Sequence, residues 1–451
     1  MRNIDTYAAK QAELCTLCGD FDPELYSRYG VKRGLRDLNG QGVVTGLTNI
    51  SSITSMREEN GQLIPCDGEL LYRGYGVCDL IGGAGERDRI YEEGAYLLLF
   101  GKLPTKRQLD EFHDIIAENM TLPTNFTRDV IMKAPEADIM SSMTKSILTL
   151  ASYDDRKNDL SIPNVLRQCI QLIGTFPMLA AYSYHAYNYY KNCESMFVHR
   201  PDRSLSLTEN FLRLLRPGMQ FTELEARTLD VAFLLHMEHG GGNNSTFTTR
   251  VVTSSGSDTY SAIAAAMSSL KGKRHGGANL MVMEMMDDIR ENVSDPGDED
   301  EIAAYLTRIV RKETFDRKGL IYGMGHAVYS ISDPRERVFR GFVERLAGEK
   351  GRDKDLRLYE SIERLAPEII ARERRIYKGV SPNVDFYSGF VYEMMGIPRE
   401  LFTPIFAVAR IVGWSAHRIE ELVENSKIIR PAYKSLVTRK DYEALDGRSS
   451  D

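Results

Sequence analysis

Beyond Tyr75, apolar residues recur at helical spacing almost to the end of the chain, and that one period rules out most architectures. Apolar stripes repeating every 3.6 residues or so are buried by packing helix on helix. The punctuation agrees. Thr222-x-x-Glu225 is a capping box opening a helix predicted to run to about His239, where glycines stop it. Ser257 or Asp258 opens another, ended by Gly272. Asp333-Pro334-x-Glu336 places a cap residue, a proline at the first helical position and a capping-box glutamate in order. Ser381-Pro382 does much the same before Val384–Met395, which stops at Gly396 and Pro398. The exception lies near the start. Ser52–Met56, a turn at Glu59-Asn60-Gly61, and Glu69–Tyr75 after Asp67-Gly68 read as short strands. Charged stretches at Asn292–Asp300 and Gly348–Asp355 read as solvated loops. The predicted class is all-α, with a minor β-hairpin near the N-terminus.

A length of 451 residues allows large buried cores and points to two or three domains. The net charge of −7 argues against non-specific nucleic-acid binding, although local basic pockets remain compatible with it. No run approaches the ~20 apolar residues that span a bilayer. Met1–Lys10 has neither an apolar signal core nor an Arg/Ser-rich amphipathic pattern, so the expected location is cytoplasmic. Six cysteines in a chain this long make no disulfide framework. Cys15-x-x-Cys18 lacks the second pair or nearby histidine of a zinc shell, and reads as two cysteines on an N-terminal helix.

Three of the eight histidines stand beside glycine in short polar motifs: Glu238-His239-Gly240-Gly241, Lys273-Arg274-His275-Gly276-Gly277 and Gly323-Met324-Gly325-His326. Glycine lets a backbone approach a ligand closely. His236 and His239 share a helical face, so a metal pair is conceivable. His236, however, continues the stripe of Leu229, Ala232 and Phe233 and reads as a core histidine. His275 precedes a helix predicted from about Asn279 to Ile289, whose positive dipole end would keep the imidazole neutral. A turn histidine capping local carbonyls explains it equally well.

Asp385 falls in the first turn of an otherwise apolar helix. Acidic residues favour that position for the helix dipole alone; the functional alternative is a carboxylate base strengthened by desolvation. Arg410 is the sharpest anomaly. It interrupts Ile405–Trp414, a segment apolar on every face, so an anion must reach it: a structural carboxylate or a substrate's. Arg335 and Arg430 are less distinctive, and either fits a plain surface charge.

Taken together, these motifs resemble the citrate synthase family. The match runs through Leu71-Tyr72-Arg73-Gly74-Tyr75, Leu235-His236-x-x-His239, Ser245–Arg250 and His275-Gly276-Gly277-Ala278-Asn279. It continues in Gly325-His326-Ala327-Val328-Tyr329, Asp333-Pro334-Arg335, Pro382–Gly389, Phe406–Arg410 and Ile429-Arg430-Pro431, covering roughly residues 40 to 435. The resemblance implies a helical homodimer with a discontinuous large domain (1–276 and 396–451) and an inserted small domain (277–395) that closes over the site. It implies oxaloacetate and an acyl-CoA as substrates, no metal and no cofactor. By the same resemblance His239, His326, Arg335 and Arg410 bind oxaloacetate, and Arg430 reaches in from a partner subunit. His275 and Asp385 act on the thioester, and His326 polarises the ketone.

Two positions depart from the family pattern. Ser330 stands where relatives often carry a Lys or Arg for CoA phosphate, and Lys273 and Arg274 stand where they often have a proline and a small or apolar residue before the histidine. We expect Lys273 and Arg274, with Lys378, to replace part of the missing CoA contact. The nearest rival activity is 2-methylcitrate synthase, the same chemistry on propionyl-CoA. From other classes, a metal-dependent hydrolase built on His236, Glu238 and His239, or an inactive helical scaffold, must also be weighed.

Overall fold

The computed structural model describes the chain except residues 1–2, 38–40, 60, 86–88, 327, 330, 376–378, 425–426, 446–447 and 449–451, and the side chain of residue 63. It forms two units, Met1–Leu47 with Ile429–Asp451, and Thr48–Ile428. In the first, α1 (Ile4–Gly19) is capped by Asn3, whose side chain accepts the Asp5 amide, and α2 (Glu24–Arg28) follows. Cys15 and Cys18 lie on α1, exposed and not disulfide-bonded.

The second unit begins with β1 (Ser51–Glu59) and β2 (Gln62–Tyr72), an antiparallel hairpin whose register shifts between Thr54 and Met56. A turn at Arg73-Gly74 brings β3 (Tyr75–Gly76) back against β2. Asn60, assigned to the hairpin turn, lies outside the described residues. Helices follow: α3 (Val77–Ala84), α4 (Ile90–Phe100), α5 (Lys106–Asn119), α6 (Ile139–Leu150), α7 (Ile162–Lys191), α8 (Leu207–Leu215) and α9 (Glu223–Met237). Then come α10 (Asn244–Ser254), α11 (Thr259–Leu270), α12 (Ala278–Asn292), α13 (Glu299–Val310), α14 (Pro334–Lys350), α15 (Asp353–Arg374), α16 (Val384–Met394) and α17 (Phe402–Glu424). The fold is thus mainly helical, as its apolar period requires. No helix among the described residues is long and apolar enough to cross a membrane.

The predicted caps hold with instructive exceptions. Thr222 and Glu225 close their capping box, Asp258 caps α11, and Asp333 caps α14 with Pro334 in the first turn. Helix α9 stops at Met237, two residues before His239, because the backbone at Glu238 is already extended. Asn383, not Ser381, caps α16, its side chain accepting the Asp385 amide. Glu336 does not turn back to its cap; it is buried, and burial beside Glu363 raises its carboxyl to about 8. The stretch read as a loop at 348–355 is mostly helix, since Gly351 ends α14 in a left-handed cap and α15 starts at Asp353.

Two long helices carry the core. Helix α17 packs against α7, α9 and α10, and most of its residues are buried. One buried charge pair away from the site makes a measurable prediction. His113 Nδ1 lies 2.9 Å from Glu92 Oε2 and Nε2 lies 3.0 Å from the Arg203 carbonyl. Both nitrogens therefore face acceptors, which only the imidazolium satisfies. The Glu92 hydrogen bond outweighs burial and raises the His113 pKa above its ordinary value. This stability is fully present below the unfolded histidine pKa of about 6.5 and is lost as pH rises through the elevated folded value. Melting temperatures measured against pH should show the advantage of wild type over His113→Gln shrinking as pH rises. A constant difference would exclude the charged pair.

Candidate active site

His239 follows the end of α9 at the point where the glycines begin, and its Nε2 is buried without a hydrogen-bond partner. Its ring centroid lies 5.1 Å from that of His326 and 5.6 Å from that of Tyr329. Tyr329 stacks on His326 at 4.9 Å, and the Arg335 guanidinium stands 5.9 Å from the Tyr329 ring. His326 Nδ1 accepts the amides of Val328 (3.0 Å) and Tyr329 (3.3 Å), which leaves its proton on Nε2. Burial first, and Arg335 second, lower the His326 pKa to about 4, so the ring is neutral near pH 7.

Arg335, which the sequence left as a possible surface charge, is buried. The carboxylate of Asp333 that caps α14 also grips its guanidinium, with Nε to Oδ1 at 3.0 Å and Nη2 to Oδ2 at 2.7 Å. Arg410 is treated differently. Its Nε donates to the His236 carbonyl at 2.5 Å, its Nη1 has no partner, and no carboxylate pairs with it among the described residues. The comparison lies on the same helix. Arg418, equally buried, donates to the Thr253 and Thr259 hydroxyls and to the Ser257 carbonyl. One buried arginine of α17 is satisfied by the fold and the other is left for something else.

Asp385 sits in the first turn of α16, half-buried, with Arg335 and Arg410 within electrostatic reach. Burial raises its carboxyl to about 6 against the lowering pull of those two cations. His275 lies in the turn before α12, where burial and then Arg410 lower it to about 4. The proposed neutrality holds, but burial and a nearby cation supply it. Its Nε2 accepts the Ser245 amide at 3.3 Å and lies 3.0 Å from Ser245 Oγ, so its proton is on Nδ1. Ser245 Oγ in turn receives the Trp414 indole N–H at 3.2 Å, one turn beyond Arg410 on α17. Gly276 has to be glycine, because a Cβ there would sit 2.2 Å from the Leu270 carbonyl.

His239, His326, Arg335, Asp385, Arg410 and, through Arg410, His275 thus share one electrostatic neighbourhood. His236 is a core residue, stacked on Phe406 at 4.2 Å with its Nε2 2.8 Å from the Tyr392 hydroxyl. Among the described residues, no group of three or more His, Cys, Asp or Glu side chains could hold a metal. A family described as "Citrate synthase, C-terminal domain" matches residues 37–432. The chain belongs to the citrate synthase family.

As a family member, and so of an acyltransferase family, it is 37% identical over 369 residues to a citrate synthase of Haloferax volcanii, covering 81% of this chain and 88% of that protein. It is also 31% identical over 409 residues to a 2-methylcitrate synthase of Corynebacterium glutamicum, covering 89% of this chain and 93% of the relative. Among solved structures it resembles the citrate synthase of Thermoplasma acidophilum in ternary complex with carboxymethyl coenzyme A and oxaloacetate, at a TM-score of 0.74 and 26% identity. That match covers 93% of this chain and 99% of the other.

Arg430 is exposed in the other unit, near the start of its C-terminal segment. Lys273 and Arg274 are exposed, and neither forms an ion pair among the described residues. Lys378 and Ser330 lie outside the described residues. The sequence motifs include Ser245, Tyr329 and Trp414, but sequence reasoning assigned none of them a role. The last left a usable signal: a sole tryptophan inside an apolar helix must find a partner for its indole N–H.

Proposed function

We propose that this protein condenses acetyl-CoA with oxaloacetate and hydrolyses the resulting citryl-CoA to citrate and CoA. The observation that carries this reading is the unpaired Arg410 guanidinium beside a carboxyl raised to about 6 and two neutral imidazoles. Asp385, ionised near pH 7, removes the α-proton of the thioester. His275 donates its Nδ1 proton as a hydrogen bond to the thioester oxygen as the enol or enolate forms. His326 donates from Nε2 to the ketone of oxaloacetate and protonates the alkoxide left by attack. Arg335, Arg410, His239 and the partner subunit's Arg430 hold the carboxylates. In this scheme N–H donors polarise both carbonyls, and the reaction calls on no metal and no cofactor.

The same reading makes residues 277–395 a small domain that closes over the substrates, and the molecule a cytoplasmic homodimer. In the same reading Lys273 and Arg274, exposed just before His275, meet CoA phosphates, with Lys378 as a third cation. Reversing both charges as Lys273→Glu with Arg274→Glu should raise the KM for acyl-CoA severalfold at low salt and leave the KM for oxaloacetate unchanged. An unaltered acyl-CoA KM would discard that role.

The test of the whole reading is free-thiol release from acetyl-CoA and propionyl-CoA, with and without oxaloacetate, in the presence of a chelator. No oxaloacetate-dependent release would overturn it. Activity lost on chelation would favour a metal enzyme instead. A faster rate with propionyl-CoA would make it a 2-methylcitrate synthase, which the Corynebacterium relative keeps in view. One methylene alters discrimination by only about 1–3 kcal/mol.

A further inference from the structure

We infer that the Asp67-Gly68 bulge of β2 is a positioning element for the proposed reaction, pinning the segment that carries His326 and Arg335. The inference rests on the proposed function. In the ladder of β1 and β2, Met56 pairs with Pro65 and Thr54 with Glu69, which leaves Ser55 opposite Cys66, Asp67 and Gly68. Extra residues on one strand bulge from the ladder, and beside active sites such bulges re-aim a side chain. Here the bulge holds a distant loop. The Gly68 amide donates to Ser332 Oγ at 3.2 Å, 264 residues further along the chain. Ser332 Oγ in turn donates to Asp67 Oδ1 at 2.8 Å. One hydroxyl thus accepts from the bulge and gives back to it.

Position 68 has room only for glycine. A Cβ there would stand 2.2 Å from the Ser332 carbonyl oxygen and 2.5 Å from Tyr329 Cδ1. The β2 backbone therefore bears directly on the Tyr329 ring, which stacks on His326 with centroids 4.9 Å apart. Tyr329 holds His326 in a second way, because its amide also donates to His326 Nδ1. Strand, aromatic ring and the imidazole assigned to the ketone are packed in series.

The same anchor serves Arg335. Ser332 is buried and precedes Asp333, which caps α14 and grips the Arg335 guanidinium. Holding Ser332 therefore fixes where the start of α14, and with it Arg335, stands relative to the hairpin. Arg337 adds an ion pair to Asp67 at 2.9 Å, but both side chains are more than half exposed, and such pairs contribute little. The weight falls on the Ser332 hydroxyl and on the close contact at Gly68. Under the proposed domain division, β2 belongs to the large domain and residues 326–335 to the small one, so these bonds join the two.

Ser332→Ala removes the hydroxyl and frees the segment to shift, and a misplacement of about 1 Å can cost about 10²-fold in rate. With one anchoring group lost, S332A should raise the KM for oxaloacetate about fivefold and lower kcat about tenfold. The KM for acyl-CoA should stay within about twofold, because the thioester groups His275 and Asp385 lie on other segments. Ser332→Thr keeps the hydroxyl and should restore both parameters. Asp67→Ala should repeat the S332A effect, whereas Asp67→Asn keeps an accepting oxygen and should stay near wild type. Because the two side chains act through one bond, S332A/D67A should be little worse than either single variant. If S332A and D67A both keep kcat and the oxaloacetate KM within about twofold of wild type, the inference is overturned. A parallel rise in the acyl-CoA KM would overturn it as well, since general loosening would then explain the loss. A loss in D67N equal to that in D67A would assign the effect to the Arg337 ion pair and overturn it too. Should S332A not fold, D67A, at an exposed position, reads the same outcomes. Wild-type enzyme that releases no thiol in response to oxaloacetate would instead sink the proposed function.

Discussion

Asp385→Asn should lower kcat by about 10²–10⁴-fold, the range set by losing a general base, and leave the fold intact. Asn383 caps α16 and takes the Asp385 amide, which holds this side chain in the first turn, within electrostatic reach of Arg335 and Arg410. Its pKa of about 6 sets the pH dependence. The base must be ionised, so the rate should fall about tenfold per pH unit below that value and level off above it. His275 and His326, both held at about 4, stay neutral through this range and add no second limb there.

The linkage gives an independent check on the same variant. A folded carboxyl raised above its unfolded value means that ionisation costs stability as pH climbs from about 4 to 6. Replacing Asp385 by neutral asparagine should therefore leave the melting temperature near pH 7 unchanged or higher. Thiol-release rates from about pH 5 to 8, with melting curves on the same samples, measure both. An acid limb that survives in the residual activity of the asparagine variant would assign it to another group.

What the sequence made legible was whatever is local. The 3.6-residue period, the Thr222 and Asp258 caps and the glycine stops are set by neighbours within a turn or two, and the helices appear where those signals put them. Arg410 was legible because an arginine among apolar residues is costly wherever the helix packs. The resemblance added roles that spacing alone could not. What stayed hidden depends on packing between distant segments. Arg335 looked like a surface charge because nothing nearby in sequence reports that the start of α14 is buried. Glu238 gave no sign that it is fully buried in a hydrogen-bonded cluster, since its partners Ser51 and His417 are 187 and 179 residues away.

Arg410→Met should separate stability from activity more sharply than any other change. Methionine keeps the length and removes the charge. Losing a buried, hydrogen-bonded charge from a substrate carboxylate costs about 2–5 kcal/mol, or roughly 30- to 5,000-fold in the KM for oxaloacetate. The folded protein, by contrast, loses little. Among the described residues only one hydrogen bond leaves with the guanidinium, to the His236 carbonyl, and no structural carboxylate is orphaned, because Glu238 keeps the Ser51, Gly240 and His417 donors. Burial already pulls Arg410 down to about 10, so folding works against its charge. Exchanging such a buried ion for an apolar side chain of similar volume is commonly neutral or stabilising. The melting temperature should hold or rise while oxaloacetate binding collapses. Arg418→Met is the contrast, since it strips donors from the Thr253 and Thr259 hydroxyls and the Ser257 carbonyl and should lower the melting temperature. If Arg410→Met unfolds the protein while Arg418→Met does not, Arg410 serves the fold, and the substrate carboxylate must be held by other cations.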